Sequence, residues 1–146
     1  MPILAVDHGE KRIGVAISDP SDTIARPLAI LRHVSRDADA RRVFEIAREH
    51  RVTAIVIGES TDEEGVPNLA GRRAHRFAGA LRSMCDLAIV LWDESLSTQD
   101  ARLRRLQAGA SRRRRAAQID AAAAAIILQS YLEARRQGHA EGSESL

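Results

Sequence analysis

Apolar residues along this chain cluster in two ways. Short dense runs rich in β-branched residues read as strands, and positions three and four apart read as helices. Ile3 to Val6 is the first dense run, and it stops at Asp7. Arg12 to Ser18 (RIGVAIS) follows a turn at His8-Gly9-Glu10, so it is expected to return antiparallel. Ala25 to Leu31 reads as a third strand, at an edge, because Pro27 has no N–H for a ladder. Val43, Phe44, Ile46 and Ala47 then fall at helical spacing within Ser35 to His50, with Ser35 as a cap. Thr53 to Ile57 (TAIVI) is a buried strand stopped by Gly58, and residues 59–67 form an acidic loop.

A second helix is expected from Asn68 to Ser83, with Leu69, Ala74, Phe77, Ala78 and Leu81 facing inward. Leu87 to Trp92 is another buried strand, ending in Asp93-Glu94. Ser97 opens a third helix, with Asp100 placed for a reciprocal cap. Arg112 to Arg115 are assigned to a loop after Gly109, and the last helix to Ala117–Arg136. The order β-β-β-α-β-α-β-α-α predicts an α/β sandwich on a mixed sheet whose first three strands are antiparallel. One domain over 1–136 and a flexible tail over 137–146 complete the expectation.

Composition narrows the class. At 146 residues, 45% hydrophobic and 29% charged, the chain suits one globular domain and not a disordered one. No stretch approaches the ~20 apolar residues of a membrane span, and no signal peptide is evident. With the single cysteine, Cys85, these features predict a reduced, cytoplasmic protein that does not engage membranes. Net charge is only +2, but Lys11 is the sole lysine and the rest of the base is arginine. Seven arginines and no acid lie between Arg102 and Arg115, whereas Glu59 to Glu64 holds four acids and no base. Segregated arginine suits a polyanion, although a solvated basic surface explains it as well.

Three acids stand where apolar elements end or face inward. Asp7 ends the first strand, and Glu94 (or Asp93) ends the last. Asp120 lies on the stripe of Ala124, Ile127, Leu128 and Tyr131 in the final helix. A lone carboxylate on a buried stripe is costly unless it is paired or metal-bound. Three oxygen donors with no adjacent His/Cys set suit Mg²⁺ or Mn²⁺ rather than zinc. The alternative makes Asp7 and Glu94 turn and cap residues and pairs Asp120 with an arginine. Glu59, just after Gly58, is a fourth candidate ligand, against its reading as part of a solvated acidic loop. His8, beside Asp7, suits a metal ligand or proton carrier by chemistry, but a neighbour at a strand end points away, so it reads as a supporting or exposed histidine. His33, His50, His75 and His139 show no ligand spacing, and Trp92 and Cys85 read as core. In the turn after Asp7, Lys11 and Arg12 can meet a phosphate, and so can Arg112, Arg113, Arg114 and Arg115.

A D-x-G turn between strands also occurs in two-domain ATPases of the actin and sugar-kinase fold, but this chain has the length of one such domain. DHGEKRIGVA at Asp7–Ala16, WDESLST at Trp92–Thr98 and QIDAAAAAIILQSYLE at Gln118–Glu133 together resemble the three signature blocks of the YqgF/RuvX family. The resemblance covers residues 2–134. It implies a ribonuclease H-like fold, phosphodiester hydrolysis with a divalent metal, and maturation of the 5′ end of pre-16S ribosomal RNA. The family's acids fall on Asp7, Glu94 and Asp120. Two departures from the pattern stand out: Ser95 replaces an arginine, and Gly58-Glu59-Ser60 replaces Gly-Leu-Pro. A DNA junction resolvase and a non-catalytic RNA-binding assembly protein are the competing readings, with a monomer or weak dimer expected.

Overall fold

The computed structural model describes residues 2–93 and 112–138, with side chains from 122 onward in the second stretch. Five strands form one sheet: β1 Ile3–His8, β2 Arg12–Ser18, β3 Ala25–Arg32, β4 Ala54–Glu59 and β5 Ala88–Asp93. Three helices are described: α1 Arg36–Glu49, α2 Leu69–Met84 and α3 Arg112–Arg136. The spatial order is β3-β2-β1-β4-β5, so β1 is central. β1, β2 and β3 are antiparallel neighbours, while β4 and β5 run parallel to β1. The expected mixed sheet is therefore present, with Pro27 on an edge strand.

Alternation along β1 builds two cores. Leu4 and Val6 join Ile13, Val15, Ile55 and Ile57 on one face, under Val43 and Ala47 of α1 and Phe77 and Leu81 of α2. Ile3 and Ala5 join Ala16, Val56, Val90 and Trp92 on the other face, under Ala124, Ile127, Leu128 and Tyr131 of α3. Small residues such as Ala123 and Ala124, both buried, let α3 lie across β1, β2 and β3. Burial of these faces supplies the main driving force, at roughly 25 cal/mol per Å² of apolar surface.

Local chemistry fixes the ends. Ser35 accepts a hydrogen bond from the Ala38 N–H at 3.2 Å, and Asn68 accepts one from the Gly71 N–H at 3.0 Å. Both are N-caps. Gly9 donates to the Arg12 carbonyl at 3.0 Å, and a Cβ at Gly9 would lie 2.7 Å from that same oxygen. Only glycine closes this turn without moving backbone.

Two expectations are corrected. Leu69 does not face inward; it is 59% exposed, because the buried stripe of α2 begins at Gly71 and continues through Ala74, Phe77, Ala78 and Leu81. Arg112 to Arg115 are not a loop before the last helix; they form the first turn of α3. Arginine is a good helix former, and the following alanines extend the helix toward it. The helix expected at Ser97 and the tail beyond Gly138 lie outside the described residues.

Candidate active site

The carboxyl ends of the three parallel strands, β1, β4 and β5, lie along one edge of the sheet. Ligands in α/β sheets bind at that edge. Asp7, Glu59 and Asp93 all fall there, but on different faces. Asp7 follows Val6 and lies opposite Gly14 of β2. It shares the face of Ile3 and Ala5, the one α3 covers. Gly14 carries no side chain to fill the space beside it.

Position 120 falls within α3, about one turn before Ala124, while Ala124, Ile127, Leu128 and Tyr131 pack on the sheet. The side chain at 120 itself lies outside what the structure describes. The hydrogen bonds of Gln129 pin α3 in place. Its Nε2 donates to the Thr23 carbonyl at 2.9 Å, and its Oε1 accepts from the Ala25 N–H at 2.9 Å. The Trp92 indole donates to Ser130 Oγ at 3.2 Å and meets Tyr131 edge to face. Trp92 is therefore core, as its apolar neighbours suggested.

The other acids divide. Asp93 is the last residue of β5 and pairs in register with Glu59. Alternation puts both on the α1/α2 face. The Thr61 hydroxyl donates to Asp93 Oδ1 at 3.4 Å, and Glu59 is ion-paired with His75 of α2. Glu59 is therefore not brought beside Asp7. β4 runs two residues past Ile57, and that extension turns Glu59 to the far face. Glu94 lies outside the described residues. Lys11 and Arg12 are exposed in the turn beside Asp7, on the solvent side of the β1–β2 hairpin.

One grouping had no signal in sequence. His8 follows Asp7 and so points to the opposite face, where its ring stacks on Phe77 at 4.5 Å. Next to it are His33, just after β3, and Asp39 in the first turn of α1. Asp39 is fully buried; its Oδ1 accepts from the Val34 N–H at 3.0 Å, and its Oδ2 meets His33 Nδ1 at 2.5 Å. Burial pushes the His8 pKa below the ordinary histidine value. Asp39 opposes that shift, while His33 and Arg73 add to it. The three residues are separated by 25 and 6 positions in the chain, so only the fold unites them.

The family described as "RuvX: Holliday junction resolvase" matches residues 1–134. This chain belongs to that family. It is 38% identical over 137 residues to a protein of Thermoanaerobacter pseudethanolicus, covering 93% of this chain and 99% of the relative. It is 36% identical over 134 residues to one from Roseiflexus sp., covering 92% and 95%. Both relatives carry the description "Putative pre-16S rRNA nuclease". Among solved structures, the RuvX-family chain is similar to T. thermophilus RuvC in complex with Holliday junction substrate. The TM-score is 0.62 at 17% identity, over 95% of this chain and 97% of that one. Fowlpox virus resolvase with its junction DNA gives a TM-score of 0.57 at 14% identity, over 92% and 99%. At such identities the likeness speaks for the fold, which is that of the ribonuclease H-like resolvases. Among the described residues, no helix is long and apolar enough to cross a membrane.

Proposed function

We propose that this chain is a metal-dependent endonuclease that hydrolyses phosphodiester bonds in RNA, with precursor 16S ribosomal RNA as its substrate. The observation that carries the reading is the place of Asp7. It is an acid built into the central strand, at the carboxyl edge of the parallel strands and on the face α3 covers. Family membership and the relatives' descriptions supply the substrate class.

Asp7, Glu94 and Asp120 are the ligands in this reading. All three offer oxygen only, which suits the hard cations Mg²⁺ and Mn²⁺. When bound, such ions stabilise charge on the phosphate and make a water more acidic. The chain's own residues position the reactants. Asp7 sits in a paired strand, so its carboxylate is held by the sheet and not by a loop. Glu94 takes the strand-end role in place of Asp93, which faces Glu59 and Thr61. Lys11 and Arg12, beside Asp7, hold the flanking phosphates, and Arg112 to Arg115 extend that basic track. Among the described residues, His75 is the partner of Glu59, which supports a three-acid site without it.

Replacing Asp7 with Asn keeps size and strand geometry but removes the charge. Cleavage of a precursor ribosomal RNA in Mg²⁺ is expected to fall at least 100-fold, with circular dichroism unchanged. Wild-type activity left intact by Asp7→Asn overturns the catalytic assignment. Cleavage of a four-way DNA junction but not of the RNA overturns the substrate assignment and leaves the chemistry.

A further inference from the structure

The sheet face away from Asp7 holds a second constellation. His8 ends β1, His33 follows β3, and Asp39 opens α1. Each offers one ligand atom, and these atoms lie within 4.8 Å of one another. We infer that His8, His33 and Asp39 form a binding site for a transition-metal ion, Zn²⁺ foremost, which clips β1, β3 and α1 together behind the nuclease site.

Four observations argue for an ion here. Both ring nitrogens of His8 are buried and have no hydrogen-bond partner among the described residues. Buried polar atoms are nearly always satisfied, so an orphaned imidazole asks for a ligand. Asp39 is fully buried, yet an ordinary helix surface would leave a first-turn aspartate in water. The donor set is two imidazoles and one carboxylate, which favours zinc and its neighbours over Mg²⁺. Finally, the arginines nearby also hold other partners, so Asp39 is not neutralised by an arginine of its own. Arg42 Nη1 donates to the Arg32 carbonyl at 2.7 Å while standing 3.9 Å from Asp39, and Arg73 pairs with Glu10 at 3.2 Å.

The adjustment needed is small. Zinc bonds of about 2.0–2.1 Å place tetrahedral ligand atoms roughly 3.3 Å apart. The His33 Nδ1–Asp39 Oδ2 pair, now at 2.5 Å, opens by less than about 1 Å, and His8 draws in. His33 is partly exposed and has room to turn, while the Val34 N–H keeps hold of Asp39 Oδ1. Three protein ligands leave one position for water.

The inference does not rest on the nuclease reading, and the test separates the two. Co²⁺ is added to the full chain in excess Mg²⁺, followed by its visible absorption bands, and then displaced with Zn²⁺. Wild type and Asp7→Asn are each expected to bind one Co²⁺ that Zn²⁺ displaces and Mg²⁺ does not. His33→Ala is expected to weaken that binding at least tenfold, and Asp39→Asn to do the same while keeping the Val34 hydrogen bond. Melting in chelator checks that both variants fold. Zn²⁺ should raise the melting temperature of wild type but not of His33→Ala. Absence of Co²⁺ binding in Mg²⁺, or binding that survives both His33→Ala and Asp39→Asn, overturns the site.

Discussion

Asp7 and His8 are adjacent in sequence but serve opposite sides of the molecule. A strand sends successive side chains to opposite faces. Asp7 therefore meets the α3 side while His8 stacks on Phe77 of α2. The same parity explains why Glu59 parted from Asp7. The sequence ends the strand at Ile57, before Gly58, whereas the ladder continues to Glu59 and pairs it with Asp93. A different single position controls the loop that follows. A Cβ at Gly71 would lie 2.2 Å from the Ser60 carbonyl oxygen, a backbone atom that cannot swing aside. Gly71→Ala is thus expected to cost about 1–3 kcal/mol, as overpacking does, despite alanine's better helix propensity. Urea unfolding measures it, and a neutral or stabilising result would show that the Ser60 loop yields freely.

Helix α3 carries a core face and, on the proposed reading, a metal-ligating position at 120, so its docking matters twice. Gln129 ties it to the start of β3 through Thr23 and Ala25. Gln129→Ala leaves a carbonyl and an N–H to find other partners, and the expected loss is about 1–3 kcal/mol. Cleavage should weaken more than stability alone dictates, because position 120 moves with the helix. Equal activity per folded molecule would show that α3 is held by its apolar face only. At this scale the sequence was largely legible. Ser35 and Asn68 cap α1 and α2 where their side chains predicted, and Pro27 marked the edge strand. Arg112 to Arg115 misled because four like charges read as loop, although each is compatible with a helix. The His8, His33 and Asp39 group was invisible because its members come from three elements whose meeting is set by β1–β2–β3 pairing. No local spacing encodes that. Of the three proposed acids, the place of Asp7 at the end of the central strand was legible in the run Ile3 to Val6. That Asp93 pairs with Glu59 emerged only from the register of β5.

Across the whole molecule, charge and chemistry are laid out on one sheet with two coats. The proposed RNA contacts are Lys11 and Arg12 at the β1–β2 turn and the arginines of the sequence that opens α3. Each phosphate contact on a single strand contributes about 0.7 to the slope of log affinity against log salt. Changing Arg112, Arg113, Arg114 and Arg115 together to Ala should therefore flatten that slope for RNA by up to about 3. Filter binding across a salt series reads it, and the loss should be the same for unrelated RNA sequences. An unaltered slope would assign these arginines to the solvated surface.

The order in which the two coats appear has a consequence for how the protein is made. Translation delivers β1 to β5 with α1 and α2 first, so one side of the sheet can close while synthesis continues. Ile3, Ala5, Ala16, Val56, Val90 and Trp92 wait for Ala124, Ile127, Leu128 and Tyr131, which follow β5 in the chain. Until then the nascent chain carries an oily flank that invites chaperones or aggregation. The residue at position 120 travels in the same segment that seals this flank. A chain made only as far as β5 thus lacks both its cover and the acid that the proposed site draws from α3, so on that reading cleavage has to await the synthesis of α3.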